Sequence, residues 1–566
     1  MMINYKNKSI ILCSLALLSL MVFNACKKYD NPPQIFEEYG NGINGKAERK
    51  VLIINIDGLA GAELEKAAPP NIGTLIKTGK YTYGVLTDAV SSDAATWASM
   101  ITGVSSAKHS IVDDTYIPVA DPDAEHEVNT VYPTFLSRML DTRPEFKTVT
   151  ITTDAALNKY MIHADHRILP VNDEAVKDSA VNIAQNNAAR AILVDFRAVE
   201  TAGKAVGYSA DLADYKAAIE KTDGYIGEIT NAIKARKTYS AEDWLIIVTT
   251  NRGGSDDNPK PGFIVCSNPS LKSQAITKSG FNTMHFNGTS TNAVIKADNG
   301  LYDAGTNKDF TIQLQIKMNA ANYYPGFFSK STGVDGSVTT GWTLFQQGGD
   351  YGVIFGGSAN GGKGKTQILA GSSIVDGKWH TITLTVKTNG SARTASLYTD
   401  GVLANSGDIS ATKNISTSNP LILGHKNVDG SDALDFYAAD VEYFNVALDD
   451  ATVQANIALK DVTKHPYYKN LIGYWPIDDG GGGVVSNLAP VGYNFLMKGQ
   501  STWDALGNDI PASRTSQNVS DGAVSIVATG PDVTGLIFYW LKVPVSSDWS
   551  LDGVGWLSNF ELEFLK

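Results

Sequence analysis

Val51-Leu52-Ile53-Ile54-Asn55-Ile56 is a nearly continuous apolar run, and similar runs recur at residues 148–152, 191–196 and 245–248. Runs of this length without alternation predict strands buried on both faces of a parallel sheet. Between the last two, Tyr215, Ile219, Thr222, Ile226, Ile229 and Ile233 recur at spacings of three and four, the signature of one helical face. Strand alternating with helix makes this part an α/β domain. After about Ser279 the period becomes two: Phe310, Ile312, Leu314 and Ile316 alternate with Thr311, Gln313, Gln315 and Lys317, and Ile382, Leu384 and Val386 repeat the pattern. Such strands are expected to be half-buried, with the polar positions facing solvent. Asp400-Gly401 between two short apolar runs reads as a hairpin turn, and Gly- and Asn-rich loops such as residues 356–364 fill the gaps. An all-β sandwich is expected here, able to fold alone over residues 282–446.

The N-terminal pattern is different. Lys6 and Lys8 precede an apolar run, residues 10–23, that is too short to span a bilayer comfortably and reads as a signal sequence. It ends in Phe23-Asn24-Ala25-Cys26, which resembles a lipobox, implying a lipid on the Cys26 thiol. Acyl chains at about 0.8 kcal/mol per buried methylene would anchor the chain to a membrane. Lys27 after the cysteine implies onward sorting to the outer membrane, with exposure at the cell surface as a further expectation. Residues 31–45 read as a flexible tether.

Composition narrows the picture further. The 566 residues are 43% apolar, enough for two or more packed domains. A net charge of -12 argues against a nucleic-acid partner, which needs clustered Lys and Arg. Cys13 leaves with the signal and Cys26 takes the lipid, so Cys266 alone remains and no internal disulfide is expected.

Several separated segments resemble the alkaline phosphatase superfamily, in particular its nucleotide pyrophosphatase and phosphodiesterase branch. They are Ile54-Asn55-Ile56-Asp57-Gly58, Pro70-Asn71-Ile72-Gly73-Thr74-Leu75, Trp97-Ala98-Ser99-Met100-Ile101-Thr102-Gly103, Lys108-His109-Ser110-Ile111 and, far downstream, Asp532 with the apolar run that follows. The β region between them must then be an insertion. It resembles a LamG-like, concanavalin-type jelly roll in Phe286-Asn287-Gly288, Asp376-Gly377-Lys378-Trp379-His380 and Asp440-Val441-Glu442-Tyr443-Phe444, with Leu471-Ile472-Gly473-Tyr474-Trp475 trailing it. The implied fold is an alkaline-phosphatase-like mixed α/β sheet flanked by helices, with an inserted all-β sandwich. The expected order is signal 1–25, tether 26–48, α/β domain 49–279, jelly roll 280–450, a trailing β-rich or linker segment 451–510, and 511–566 completing the α/β domain. Chains pairing these domains look like envelope lipoproteins of Bacteroidetes-type bacteria.

The phosphatase resemblance implies two zinc ions and a Thr or Ser nucleophile. Asp57 matches its metal-binding position. The nucleophile position falls on Asp93, with Ser92 one residue away and Thr96 one turn along. The family's Asp-x-x-Gly-His segment aligns with Glu200 and Lys204, and its Ser-Asp-His-Gly with Asn251 and Arg252. No histidine occurs between His166 and His285 or after His465, the intervals in which the resemblance places the zinc histidines. Protonated Lys and Arg do not ligate zinc. A degenerate, non-catalytic pocket without metal is therefore expected, an ionic cluster in which Lys204 or Arg252 pairs with Asp57, Asp93 or Glu200. The alternative is a metal-dependent phosphodiesterase, phosphatase or sulfatase-like hydrolase, holding zinc or another divalent cation on Asp57, Asp93 and Glu200.

Other candidates lie outside that pocket. His163 and His166 have helix-compatible ligand spacing but read as surface residues. Trp342 and Trp379 offer sugar-stacking rings or core packing. Tyr323 and Tyr324, with Phe327 and Phe328 beyond Pro325-Gly326, suggest an exposed aromatic loop for glycan contact. Asp440 and Glu442 alternate along a strand as solvent-facing charges or, alternatively, calcium ligands. The expected function is a surface lipoprotein whose jelly roll engages polysaccharide or another envelope component, with a glycan-uptake complex as partner.

Overall fold

The computed structural model describes residues 47–119, 130–332, 340–358, 365–427, 432–498, 502–515 and 525–564. Cys26, the expected signal and nearly all of the tether lie outside these residues. Everything described from Glu48 onward forms one compact unit.

Strands β1 (Glu48–Ile56), β2 (Gly79–Val85), β3 (Thr148–Ile151), β4 (His166–Ile168), β5 (Ala191–Phe196), β6 (Glu242–Thr249), β9 (Gly262–Ser267) and β10 (Gln274–Ala275) form one sheet, in the order β10-β2-β9-β6-β1-β5-β3-β4. A separate hairpin joins β7 (Gly253–Ser255) and β8 (Asn258–Lys260). β1 runs parallel to β5 and β6, whereas β9 is antiparallel to both β2 and β6, so the sheet is mixed. The unbroken run in β1 follows from helices on both faces. Val51 and Ile53 pack with Trp97 and with Leu536 and Phe538, while Leu52, Ile54 and Ile56 pack with Val176, Ile219 and Ile226. Each such side chain fully removed from water contributes roughly 1.5–3 kcal/mol, against the entropy of ordering it.

The downstream helix Asp532–Leu541 closes this core. Trp540 donates from Nε1 to the Lys50 carbonyl at 2.9 Å, and Thr534 from its hydroxyl to the Met100 carbonyl at 2.7 Å. Gly103 ends the Asp93–Thr102 helix at φ 75°, where a Cβ would come within 2.8 Å of Thr534. A side chain at that position would therefore part the two helices. The chain leaves and re-enters the domain at one place, because Thr277 bridges to Ser525.

The insert is an antiparallel sandwich. One sheet runs β20-β19-β18-β13-β22-β11-β26, with β23 also paired to β22; the other runs β17-β16-β15-β14-β21-β12-β25-β24. Its strands are β11 (Phe281–Gly288), β12 (Asn292–Ile295), β13 (Phe310–Met318), β14 (Asn322–Ser331), β15 (Gly341–Gly348), β16 (Asp350–Gly356), β17 (Lys365–Leu369), β18 (His380–Asn389), β19 (Ala392–Thr399) and β20 (Val402–Asp408). They continue with β21 (Leu421–Lys426), β22 (Leu434–Phe444), β23 (Leu471–Trp475), β24 (Val484–Val485), β25 (Phe495–Lys498) and β26 (Thr502–Gly507). β19 and β20 meet in the expected hairpin, with Asp400 and Gly401 both at positive φ.

Several expectations change here. The trailing segment is part of the sandwich rather than a linker: β26 pairs with β11, β25 with β12 and β23 with β22. A fragment ending at 446 would leave β11 and β12 as raw edges. The return stretch also stays on the sandwich, where Ser513 and Arg514 bind Asp440. Three of the four polar positions of β13, Thr311, Gln313 and Gln315, are buried too, because residues 446–457 cover that face, and Lys317 alone stays half-buried. Thr311 donates to the Val446 carbonyl and Gln315 to that of Ile457. Asp440 and Glu442 are likewise buried rather than solvent-facing. Arg514, Ser513 and Tyr474 take the oxygens of Asp440, and burial, then the Asp440 charge, raises the Glu442 pKa well above the usual carboxylate range.

Trp342 is in the core, and Trp379 is half-buried with its Nε1 donating to the Asp509 carbonyl. Tyr323 and Tyr324 lie in a bulged strand rather than a loop. Tyr323 is 60% exposed and Phe327 and Phe328 are core residues. Tyr324, at φ 66°, stacks on Phe345. His163 and His166 are exposed but share no helix, since His166 begins β4.

Candidate functional site

The C-terminal ends of parallel strands are where open α/β sheets collect polar groups. Asp57 follows β1, Arg197 follows β5, and Asn251 and Arg252 follow β6. The Asp93–Thr102 and Ala198–Val206 helices bring Asp93 and Glu200 to the same place. Gly58 makes the approach possible: at φ 77°, a Cβ there would lie 2.3 Å from the Glu200 Oε2.

Two guanidinium groups occupy the space between these carboxylates. Arg252, fully buried, lies 3.0 Å from Glu200 and 3.6 Å from Asp57, and its other terminal nitrogen bonds the Gly254 carbonyl and Asp256. Lys204 reaches Glu200 at 2.9 Å from one turn along the same helix, and Tyr208 donates to it at 2.9 Å. Arg197 contacts Asp93 at 2.6 Å, Asp57 at 3.1 Å, Asp154 at 3.5 Å and Asp195 at 3.7 Å. Asn251 donates to Asp93 at 2.8 Å and to Thr96 at 3.1 Å, and accepts from Asn55 at 3.1 Å. The pocket thus brings together Asp57, Asp93, Glu200, Lys204, Asn251 and Arg252 from the sequence reading, and adds Arg197.

Arg197 is the residue that sequence reasoning missed. The available signal was an arginine directly after the strand that carries Asp195, at the end of the sheet where sites form.

The hydroxyls near the nucleophile position are already engaged. Ser92 caps its helix, with Oγ donating to the Val112 carbonyl at 2.7 Å, and Thr96 donates to the carbonyls of Ser92 and Asp93. Asp93 is the group that faces the cluster. A hydroxyl–imidazole pair nearby, Ser99 and His109 at 2.9 Å, is oriented against nucleophile activation. His109 Nδ1 accepts from the Ile111 amide, so Nε2 carries the proton and donates to Ser99, whose hydroxyl donates to Asp88.

Electrostatics make the cluster self-contained. Burial and then the Asp93 charge raise the Asp57 pKa well above the usual range, against the pull of Arg197 and Arg252. Burial pulls both arginines toward neutrality, but the surrounding carboxylates outweigh it and raise their pKa values. Neither oxygen of Asp57 accepts a hydrogen bond; the two arginines are its compensation. Among the described residues no group of three or more His, Cys, Asp and Glu is disposed to hold a metal ion. With cations lodged among the carboxylates, the residues present do not fit a pair of zinc ions.

Asp195 supplies a test of this charge balance. Burial pushes its pKa up to about 7, so between about pH 4 and 7 the folded state holds a proton that the unfolded state has released. Its contribution to stability therefore falls as pH rises through that window. The stability of wild type minus that of Asp195→Asn should shrink by a few kcal/mol from the acid to the neutral end, read from urea unfolding; a difference that grows with pH would contradict it.

Comparison with known proteins agrees with this architecture. Residues 51–260 match the type I phosphodiesterase / nucleotide pyrophosphatase family, and residues 287–454 the concanavalin A-like lectin/glucanases superfamily. Among solved structures, a 2-O GAG sulfatase is 12% identical, with a TM-score of 0.32, over 40% of this chain and 65% of that one. Murine ectonucleotide pyrophosphatase / phosphodiesterase 5, inactive and in complex with AMP, is 17% identical with a TM-score of 0.28, over 36% and 57%. The binding domain of Paraclostridial Mosquitocidal Protein 1 is 17% identical with a TM-score of 0.23, over 30% and 43%. The chain spans less than two thirds of each of these three structures. No curated protein matches it in sequence. The chain carries an alkaline-phosphatase-like domain of the type I phosphodiesterase and nucleotide pyrophosphatase kind, with a concanavalin A-like jelly roll set into it.

Proposed function

We propose that this protein is an outer-membrane lipoprotein, anchored through Cys26 and exposed at the cell surface, in which the phosphatase-like domain is a non-catalytic scaffold. The jelly roll binds glycan or another envelope component and works beside a glycan-uptake complex. The observation that carries the scaffold reading is the placement of Arg197 and Arg252 among the carboxylates of the pocket. Guanidinium groups supply fixed positive charge there but no coordination site, activated water or free nucleophile.

The test uses the mature protein, stripped with chelator and then incubated with zinc. It should retain no stoichiometric metal and hydrolyse neither phosphate monoesters, phosphate diesters nor sulfate esters. Tight zinc binding, with turnover that disappears in Asp57→Asn and Glu200→Gln, would restore the hydrolase.

A further inference from the structure

The sandwich holds a cavity of about 430 Å³ where β13 begins and β22 ends, away from the ionic cluster. Its floor includes Phe310 and Tyr443, and its rim carries Asp303, Lys308, Asp309 and Asn445. A cavity of this size with a mixed lining is in the range of small-molecule sites.

The rim loop, residues 298–309, is held from behind by two buried cations. Lys330, 2% exposed, donates to Asp298 at 2.6 Å and to the Asn419 carbonyl at 3.0 Å, and stands 3.6 Å from Asp303. Arg393, 3% exposed, donates to the carbonyls of Ala304 and Gly305 at 2.9 Å and of Lys308 at 2.8 Å. Burying a charge is costly unless it is engaged, and here the bonds from Lys330 and from the two terminal nitrogens of Arg393 fix the loop's shape. The rim is rigid before any ligand arrives, which lowers the ordering cost of binding. It also keeps acceptor capacity: Asp303 turns Oδ1 inward toward Lys330 while its side chain stays 26% exposed, and Asp309 commits Oδ1 to the Thr388 amide.

Charge selects the ligand class. Among the residues that line the cavity, Asp303 and Asp309 are negative and Lys308 positive, which leaves one net negative charge on the lining. That disfavours sulfated or uronic acid units and suits a ligand that presents hydroxyl donors.

We propose that this cavity binds a neutral, hydroxyl-rich ring, the terminal hexose of a glycan, with Asp303 and Asp309 accepting from its hydroxyls and Asn445 and Lys308 donating to its oxygens. The assignment rests on the glycan-binding reading above and gives it a place and a chemical class. The experiment is an array of neutral, sulfated and uronate-containing oligosaccharides probed with the mature protein. The best neutral binder is then titrated calorimetrically against wild type, Asn445→Ala, Asp303→Asn and Tyr323→Ala. Neutral glycans should be preferred, and Asn445→Ala and Asp303→Asn should each weaken binding about tenfold, Asn445→Ala at unchanged melting temperature, while Tyr323→Ala leaves binding unaltered. Asn445 is exposed and bonds only the neighbouring Asn470 side chain and carbonyl, so its truncation separates binding from folding. Binding undiminished in both cavity variants would overturn the site while leaving glycan recognition standing. Preference for acidic glycans would overturn the ligand class, and no binding to any glycan would remove both.

Discussion

Replacing Arg252 by methionine should destabilise the α/β domain by about 3–5 kcal/mol, the typical cost of removing one partner from a buried ion-pair network. Arg252 is fully buried, and its loss leaves Glu200 with only the exposed Lys204 and the Tyr208 hydroxyl, and Asp57 with Arg197 alone, while neither carboxylate can reach solvent for compensation. Lys204→Met provides the contrast. Lys204 binds the same Glu200, but its side chain is 63% exposed, so water screens the pair and the loss should be under about 1 kcal/mol. Adding Glu200→Gln to Arg252→Met should recover part of the deficit by removing the stranded charge. Chemical denaturation followed by native-state hydrogen exchange in β1 and β6 would read the effect in the correct domain. If Arg252→Met were no less stable than Lys204→Met, the buried arginine would not be holding the cluster together.

Arg197→Ala should do something different: it should create a divalent-cation site. Arg197 lies between Asp57, Asp93, Asp154 and Asp195, and its side chain is 20% exposed, so the position opens toward solvent. Removing it leaves Asp57, Asp93, Asp154 and Asp195 without their shared cation, and although these side chains are not disposed around a metal while they surround the guanidinium, closing on one would give it hard oxygen donors, which suit calcium or magnesium rather than zinc. Without metal the variant should be less stable than wild type, because like charges at short range must protonate or separate. Added calcium should then restore stability by about 2.7 kcal/mol at a hundredfold excess over its dissociation constant, and leave wild type unchanged. Calcium-independent melting of Arg197→Ala would show that the carboxylates do not converge once the guanidinium is gone. The two experiments together separate a cluster that only holds the fold from one that also excludes metal.

The sequence by itself determined the parts of this molecule that are local. Largely apolar runs located β1, β3, β5 and β6, because a strand covered by helices on both faces favours apolar residues at most positions, with polar residues such as Asn55 and Asp195 kept where they find partners. The spacing of Tyr215, Ile219 and Ile226 located the Ala213–Lys234 helix for the same kind of reason. The motif positions of Asp57, Glu200, Lys204, Asn251 and Arg252 were legible because each sits at a fixed distance from such an element. Period two in β13 was also legible, but its meaning was not. Thr311, Gln313 and Gln315 look like a solvent face, and only chain arriving more than a hundred residues later covers them. The same non-local covering buries Asp440 under the return segment that carries Arg514. Short strands such as Val484–Val485 carry too few residues to show a period, so their place in the sandwich is set by the partner edge they complete. Arg197 is the clearest case: a single cation after a strand has no periodicity to read. Its role exists only because the fold gathers Asp57, Asp93, Asp154 and Asp195, from four separate stretches of chain, within reach of one guanidinium.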